Sequence, residues 1–221
     1  MMAAPGEGAR RPIPRFTHGP PGAPTVVCTH GVTLDHHAFD GQIQPLQAAG
    51  HRIVTWDLPG HGAERSSGDA FTLAAAVVDL AALLAELDDI PVALVGQSFA
   101  GFVAQQFTQR APGRITALVL IATPPLTGRP PWHHRVFSRM RPLLLRLWPE
   151  AHLRRVLPTF LSQRHDVQHY VDRATRQLSK SDLIAVTRAA VGPLLSSRAP
   201  TPARSPCSSC AARTSKASSH G

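Results

Sequence analysis

Short apolar runs rich in β-branched residues alternate with longer helical segments through the first half of the chain, and this alternation limits the possible folds more than any other feature. The predicted strands are 25–29, 52–56, 91–96 and 115–121, and the predicted helices between them are 38–49, 72–87 and 99–110. The strands are nearly continuously apolar, as strands buried on both faces are. The sequence therefore predicts an α/β fold with a mostly parallel, doubly wound sheet.

The composition changes on both sides of this core, which predicts four parts in the chain. Residues 1–22 are rich in Pro, Gly and Arg and are predicted to be a flexible N-terminal segment. Residues 23–125 form the predicted core. Residues 126–192 carry arginine-rich helical stretches with no strand pattern, which indicates a helical cap over a site. Residues 193–221 contain mainly Ser, Ala, Pro and Arg without an acidic residue, and are predicted to be disordered.

Charge and hydropathy exclude several classes of function. The formal net charge of +9 comes almost entirely from arginine, but no basic stripe is interleaved with aromatic residues, so no nucleic-acid partner is predicted. No apolar run approaches the length of a membrane span, and residues 1–22 lack the apolar stretch of a secretory signal. We therefore expect a cytoplasmic protein with no membrane partner. Nothing in the sequence indicates an oligomeric state.

The three cysteines predict neither a disulfide framework nor a metal site. Cys28 lies inside an apolar run and is interpreted as a small buried hydrophobic residue. Cys207 and Cys210 form a C-x-x-C pair, but they lack the strand-to-helix context of a redox pair and the second ligand pair of a zinc site. No metal and no cofactor are predicted.

The run GQSFAG at 96–101 follows a predicted strand and opens a predicted helix. In this context the pattern G-x-S-x-A favours a nucleophile elbow, in which Gln97 and Ser98 occupy a sharp turn. Small residues at Gly96 and Ala100 allow the strand and the helix to approach closely. Ser98 is the predicted catalytic nucleophile, with the helix N-terminus favouring the negative charge that develops beside it. The alternative is that Ser98 merely caps the helix.

Two further turns accompany the elbow: THGV at 29–32 follows the first predicted strand, and DLPGHG at 57–62 follows the second. The three segments, in this order and spacing, resemble the serine-nucleophile branch of the α/β-hydrolase superfamily. The resemblance covers about residues 20–125 in detail and extends loosely to about 192. It implies the α/β-hydrolase fold with a helical cap.

The resemblance also implies roles for matched residues. His30 and Gly31 correspond to a turn that holds open the loop after the first strand. The backbone N–H groups of Val32 and Phe99 are then expected to form an oxyanion hole. In this interpretation His30 is a scaffold residue, and the less favoured alternative makes it the catalytic base.

The histidines and the acid near the other turns are given structural roles. Asp57 and His61 belong to the second turn, and Asp57 as the catalytic acid is the less favoured alternative. His36 and His37 are interpreted as exposed loop histidines, although they are close enough in sequence to line the site.

A serine nucleophile implies acyl transfer and hydrolysis of a small ester, thioester or lactone, which is an esterase-like activity of class EC 3.1 on a small-molecule substrate. The acid and histidine of such a triad normally follow the later strands. Here the last acidic residue is Asp182, and only His220 follows His169. Neither triad partner can be assigned.

These missing partners lead to a hypothesis that the chain is C-terminally truncated or carries a frameshift near 195–201, with the last strands missing. The strand at 115–121 would then be an exposed apolar edge, and the chain would be poorly soluble and nearly inactive. The alternative function is a non-catalytic or inactive α/β-hydrolase fragment that lacks the triad Asp and His.

Overall fold

A computed structural model describes residues 13–64, 71–87, 91–126 and 131–195. The strands are β1 (Arg15–His18), β2 (Thr25–Thr29), β3 (Arg52–Trp56), β4 (Val92–Gln97) and β5 (Ile115–Ile121). The helices are α1 (Asp40–Ala48), α2 (Leu73–Ala85), α3 (Phe99–Arg110), α4 (Trp132–Leu147), α5 (Glu150–Leu161), α6 (His165–Arg176) and α7 (Lys180–Leu195). The sheet has the order β1-β3-β2-β4-β5, with only β1 antiparallel to its neighbour. The predicted α/β class with a mostly parallel sheet is confirmed.

Apolar side chains on the two faces of the central strands pack in two separate layers. One layer includes Val27 and Trp56 and packs against α2 and α3. The other includes Cys28 and Ile53 and packs against α1. Cys28 is buried, as predicted, and burial raises the pKa of its thiol to about 12, so the thiol stays protonated at neutral pH. Helices on both faces fix the sheet in the middle of the described core, which gives rigid support to the turns at the carboxyl ends of the strands.

The first strand was not predicted, and the expectation of a flexible segment over 1–22 is wrong for residues 15–18. These residues pair antiparallel with β3, and Arg15 lies opposite Trp56. The strand is only four residues long and lies between Pro/Gly-rich stretches, so it gives no periodic signal in the sequence. Residues 1–12 lie outside the described part of the chain.

Strand β5 forms one edge of the described sheet, and its apolar side chains face solvent. Leu118, Val119 and Ile121 are 36%, 47% and 41% exposed. A near-continuously apolar strand would normally be covered on both faces. The expectation that this strand is an exposed apolar edge is therefore confirmed within the described residues.

The described residues from 131 onward form four helices and the short segments that connect them, with no strand, in agreement with the predicted helical stretches of 126–192. Helix α4 packs on α7, α5 packs on α6, and α7 also contacts α2. A small cluster around Leu153, Leu178 and Leu183 holds these helices together. The predicted disorder of 193–221 is wrong for 193–195, because α7 continues to Leu195. Residues 196–221, including Cys207 and Cys210, lie outside the described ranges, so the frameshift hypothesis remains a prediction.

Candidate active site

The backbone at Ser98 is strained between β4 and α3. Its φ of 53° and ψ of −116° lie where a residue with a Cβ rarely occurs, at a cost of about 1–3 kcal/mol. The surrounding structure holds this conformation, because the Ser98 N–H donates to the carbonyl of Ile121 at 2.8 Å. The Thr123 hydroxyl donates to the Ser98 carbonyl at 2.8 Å. Strain maintained in this way, at a turn between a strand and a helix, is typical of functional sites.

Two glycines make the turn possible. A Cβ built on Gly96 would lie 2.6 Å from the Ala100 carbonyl oxygen and 2.7 Å from the Gly101 Cα. A Cβ on Gly101 would lie 2.6 Å from the Thr123 Cβ. Close packing was predicted from the small residues at positions 96 and 100. In the structure Ala100 fits as a fully buried residue, while Gly101 makes the approach to the chain that leaves β5.

The Ser98 side chain is exposed at the N-terminus of α3. Although Ser98 occupies the N-cap position, its hydroxyl accepts no capping hydrogen bond. The alternative in which Ser98 serves as a helix cap is therefore wrong. No side chain in the described ranges forms a hydrogen bond with this hydroxyl.

The loop after β2 lies directly against the elbow. A Cβ built on Gly31 would be 3.3 Å from the Ser98 Cβ and 3.4 Å from the Gln97 carbonyl oxygen. A side chain at position 31 would therefore crowd Ser98, and its neighbours would have to move by a few tenths of an ångström to admit it. Among the described residues, neither the Val32 amide nor the Phe99 amide has a hydrogen-bond acceptor. The structure thus brings Gly31 and Ser98 together, with two unpaired backbone donors next to them in sequence.

Both ring nitrogens of His30 are occupied by the backbone. The Nδ1–H donates to the Gly31 carbonyl at 2.7 Å, and Nε2 accepts the Leu58 N–H at 3.0 Å. Burial lowers the pKa of His30 to about 3, so the ring is neutral. A neutral ring with both nitrogens engaged has no free position for the Ser98 proton, which excludes His30 as the base in this conformation.

The second turn is held by a buried network around His61 and Asp57. His61 accepts the Thr33 N–H through Nε2 at 3.1 Å and hydrogen-bonds the Pro59 carbonyl through Nδ1 at 3.0 Å. Burial lowers the pKa of His61. The fully buried Asp57 carboxylate accepts the Ala63 N–H at 2.9 Å. Both residues make their hydrogen bonds within the scaffold, which is the structural role predicted for the second turn.

The prediction of two exposed loop histidines is wrong for His36. Its Nδ1 contacts the Asp57 carboxylate at 2.9 Å, and its ring stacks on Phe16 with centroids 3.7 Å apart. The side chain is only 15% exposed. The cause is β1, which the sequence did not reveal and which supplies Phe16. His37 is exposed and pairs with Asp40 at 2.9 Å.

A cleft of about 400 Å³ lies between the loop after β2 and helix α6. Its lining includes Leu34 of the loop and Gln97, which directly precedes Ser98. Helix α6 contributes Val167, Tyr170 and Val171. Sequence reasoning missed the contribution of Tyr170, because its partners are more than 100 positions away in the chain. The one available signal was that it is the only tyrosine.

The described ranges contain no group of three or more His, Cys, Asp or Glu side chains arranged to hold a metal ion. They also contain no helix long and apolar enough to cross a membrane.

Comparison with known proteins places this geometry in context. A family model described as the alpha/beta hydrolase fold matches residues 24–197. The Mycobacterium tuberculosis protein BpoC, which carries the name of a non-heme bromoperoxidase, is 39% identical over 82 residues, covering 37% of this chain and 31% of BpoC. Lipase LipV of the same organism is 35% identical over 112 residues, covering 47% of this chain and 39% of LipV.

Solved structures agree on the fold. The crystal structure of BpoC superposes with a TM-score of 0.65 at 24% identity, covering 86% of this chain and 73% of BpoC. The esterase EaEST of Exiguobacterium antarcticum superposes with a TM-score of 0.66 at 14% identity, covering 81% of this chain and 69% of EaEST. At these identities the likeness shows the fold alone. The sequence matches span about a third of the curated relatives' length.

Proposed function

Because this chain belongs to the α/β-hydrolase family, whose relatives include a lipase and an esterase, we propose that Ser98 is a nucleophile for acyl transfer. The proposed reaction is hydrolysis of a small ester, thioester or lactone. The observation that carries the proposal is the exposed, uncapped Ser98 hydroxyl on a strained turn, with Gly31 packed beside it. An ordinary helix cap does not require such a conformation.

In the proposed reaction the Ser98 oxygen attacks the substrate carbonyl carbon, and the carbonyl oxygen becomes an oxyanion. The Val32 and Phe99 amides, which have no acceptor among the described residues, would donate to that oxyanion. Collapse expels the alcohol, thiol or alkoxide leaving group and forms an acyl-enzyme, which water then hydrolyses. Removing one such donor typically lowers the rate by about 100–1,000-fold.

The hydroxyl proton must pass to a general base, and the contacts of Ser98 support no assignment of that base. His30 and His61 are engaged in the scaffold, and no described side chain hydrogen-bonds to Ser98. Loss of triad members costs on the order of 10⁴–10⁶ in rate. This lack of a described partner favours the second candidate, a non-catalytic chain with the same fold.

Further proposals concern the surroundings of the site. We infer that α4–α7 act as a cap over the site, that the substrate is a small molecule, and that the reaction needs neither a cofactor nor a nucleic-acid or membrane partner. A cytoplasmic location is proposed on the basis of sequence composition alone.

Hydrolysis of p-nitrophenyl acetate distinguishes the two candidate functions when it is measured for three proteins: the parent chain, the Ser98→Ala variant and the Ser181→Ala variant. Ser181 is also exposed but lies on α7, where it contacts only Ser179 among hydrogen-bonding side chains of the described residues. The nucleophile proposal expects a release of p-nitrophenol, however slow, that Ser98→Ala removes and Ser181→Ala retains. Equal release from all three proteins would favour the non-catalytic candidate.

A further inference from the structure

The loop that carries Val32 is fastened from two directions. On the side of β3, His61 Nε2 accepts the Thr33 N–H at 3.1 Å. Thr33 has a positive φ of 72°, which is uncommon for a β-branched residue. The Leu34 N–H donates back to the Gly31 carbonyl at 3.3 Å, which closes the loop on itself. These contacts lie within the core, between residues of the two turns that follow β2 and β3.

The other attachment comes from helix α6. The Tyr170 hydroxyl lies 3.1 Å from the Asp35 carbonyl oxygen and 3.0 Å from its Oδ1, and donates to this pair. The same hydroxyl accepts the Asp35 N–H at 3.2 Å. Gln177 donates from Nε2 to Asp35 Oδ2 at 3.2 Å. One residue of the loop is thus held through its N–H, its carbonyl and both carboxylate oxygens.

Asp35 is the point at which these bonds converge, and it is 3% exposed. A buried carboxylate needs hydrogen-bond donors, and Asp35 receives them from Tyr170, Gln177 and the His37 N–H at 3.1 Å. Burial raises the pKa of the Tyr170 hydroxyl, so it remains protonated and able to donate.

We propose that Tyr170 is a positioning residue that holds the loop 31–35 in the shape that presents the Val32 amide beside Ser98. The catalytic effect of this attachment rests on the proposed function, whereas the attachment itself does not depend on that proposal. Tyr170 and Leu34 also line the same cleft. Helix α6 therefore lines this cleft and, through Tyr170, also holds the loop that would stabilise the oxyanion.

Loss of the Tyr170 hydroxyl is expected to change the reaction rate rather than the affinity for substrate. An oxyanion donor acts only on the charge that develops during reaction, so its displacement lowers the rate of the chemical step and leaves ground-state binding unchanged. A displacement of about 1 Å at a reacting centre can cost on the order of 100-fold in rate. Loss of the Tyr170 hydroxyl should therefore slow reaction at Ser98 by roughly 10- to 100-fold.

The matched variants are Tyr170→Phe and Arg154→Gln. Phenylalanine keeps the ring and removes the hydroxyl. Arg154 donates to the Thr175 and Leu178 carbonyls at 3.1 and 3.0 Å, so its replacement also removes two bonds among the cap helices. The hydrogen bonds of Arg154 are to Glu150, Thr175 and Leu178, and none of these residues belongs to the loop 31–35. A general loosening of the helices would affect both variants, whereas loss of the loop attachment affects only the first.

Two measurements are made on the full chain: amide hydrogen exchange over 31–37, and the concentration dependence of labelling by a fluorophosphonate. Tyr170→Phe should exchange faster over 31–37 and show a 10- to 100-fold lower maximal labelling rate with an unchanged half-saturating probe concentration. Arg154→Gln should match the parent in both. Unchanged exchange over 31–37 in Tyr170→Phe, or equal acceleration in Arg154→Gln, would overturn the inference. Absence of Ser98 labelling in the parent counts against the proposed function alone, because exchange measures the attachment independently.

Discussion

Substitution of Gly96 by alanine tests whether the elbow depends on direct backbone contact between β4 and α3. The new Cβ would lie 2.6 Å from the Ala100 carbonyl oxygen, and such contacts are essentially never closer than 3.0 Å, so the backbones must separate by at least 0.4 Å (3.0 − 2.6). The atoms that must move belong to the backbone at Ala100 and Gly101 rather than to a flexible side chain.

Overpacking of this kind costs about 1–3 kcal/mol. For a chain of this length each kcal/mol lowers the melting temperature by roughly 2–4 °C, so Gly96→Ala should melt about 2–12 °C below the parent. Because the displacement begins at the first turn of α3, it should also slow labelling of Ser98. Circular dichroism melting and urea unfolding measure the loss of stability. The rate of labelling by a fluorophosphonate measures the effect on Ser98.

Gly41→Ala is the matched control, because Gly41 lies in α1 with nothing within 4 Å of its added Cβ. It should leave stability unchanged or raise it by up to about 1 kcal/mol. A Gly96→Ala variant as stable as Gly41→Ala would refute the close-contact account of the elbow.

Two further predictions concern the scaffold. The native His30 pKa of about 3 lies below its ordinary value of 6.5, so the unfolded chain binds a proton first as pH falls, and stability should decline from about pH 6.5 towards pH 3. The free energy of unfolding from urea titration should be about 2 kcal/mol lower at pH 5 than at pH 7 because of this residue. The variant His30→Gln should show a smaller difference between the two pH values. An undiminished difference would contradict the buried neutral state. At the exposed edge, Val119→Lys should reduce self-association measured by light scattering, because an edge charge opposes strand pairing. Val78→Lys, at a similarly exposed position on α2, should not, and equal improvement by both would show a general effect of charge.

Much of the fold was predictable because the core strands carry strong local signals. The strands at 25–29, 52–56 and 115–121 were predicted with the bounds that the structure has. Each is a β-branched apolar run that ends at a turn residue or a polar segment. Strand β1 was missed because its pairing with β3 depends on residues far away in the sequence, and its own four residues have no apolar pattern.

The elbow was predictable to the level of Ser98, because glycine spacing and a strand-to-helix transition are local properties. The neutral state of His30 and the contact of His36 with Asp57 were not, because both depend on burial that the whole fold creates. The attachment of Asp35 to Tyr170 joins residues 135 positions apart. No periodicity or motif in a single sequence indicates a contact of that kind.

Peptide mapping by mass spectrometry after incubation with a fluorophosphonate tests whether Ser98 is the nucleophile. A nucleophilic Ser98 should give a single phosphonyl adduct on the peptide that contains it, and this adduct should be absent in Ser98→Ala and retained in Ser181→Ala. Adducts distributed over several serines, or none at Ser98 while the protein is folded by circular dichroism, would contradict a nucleophilic Ser98.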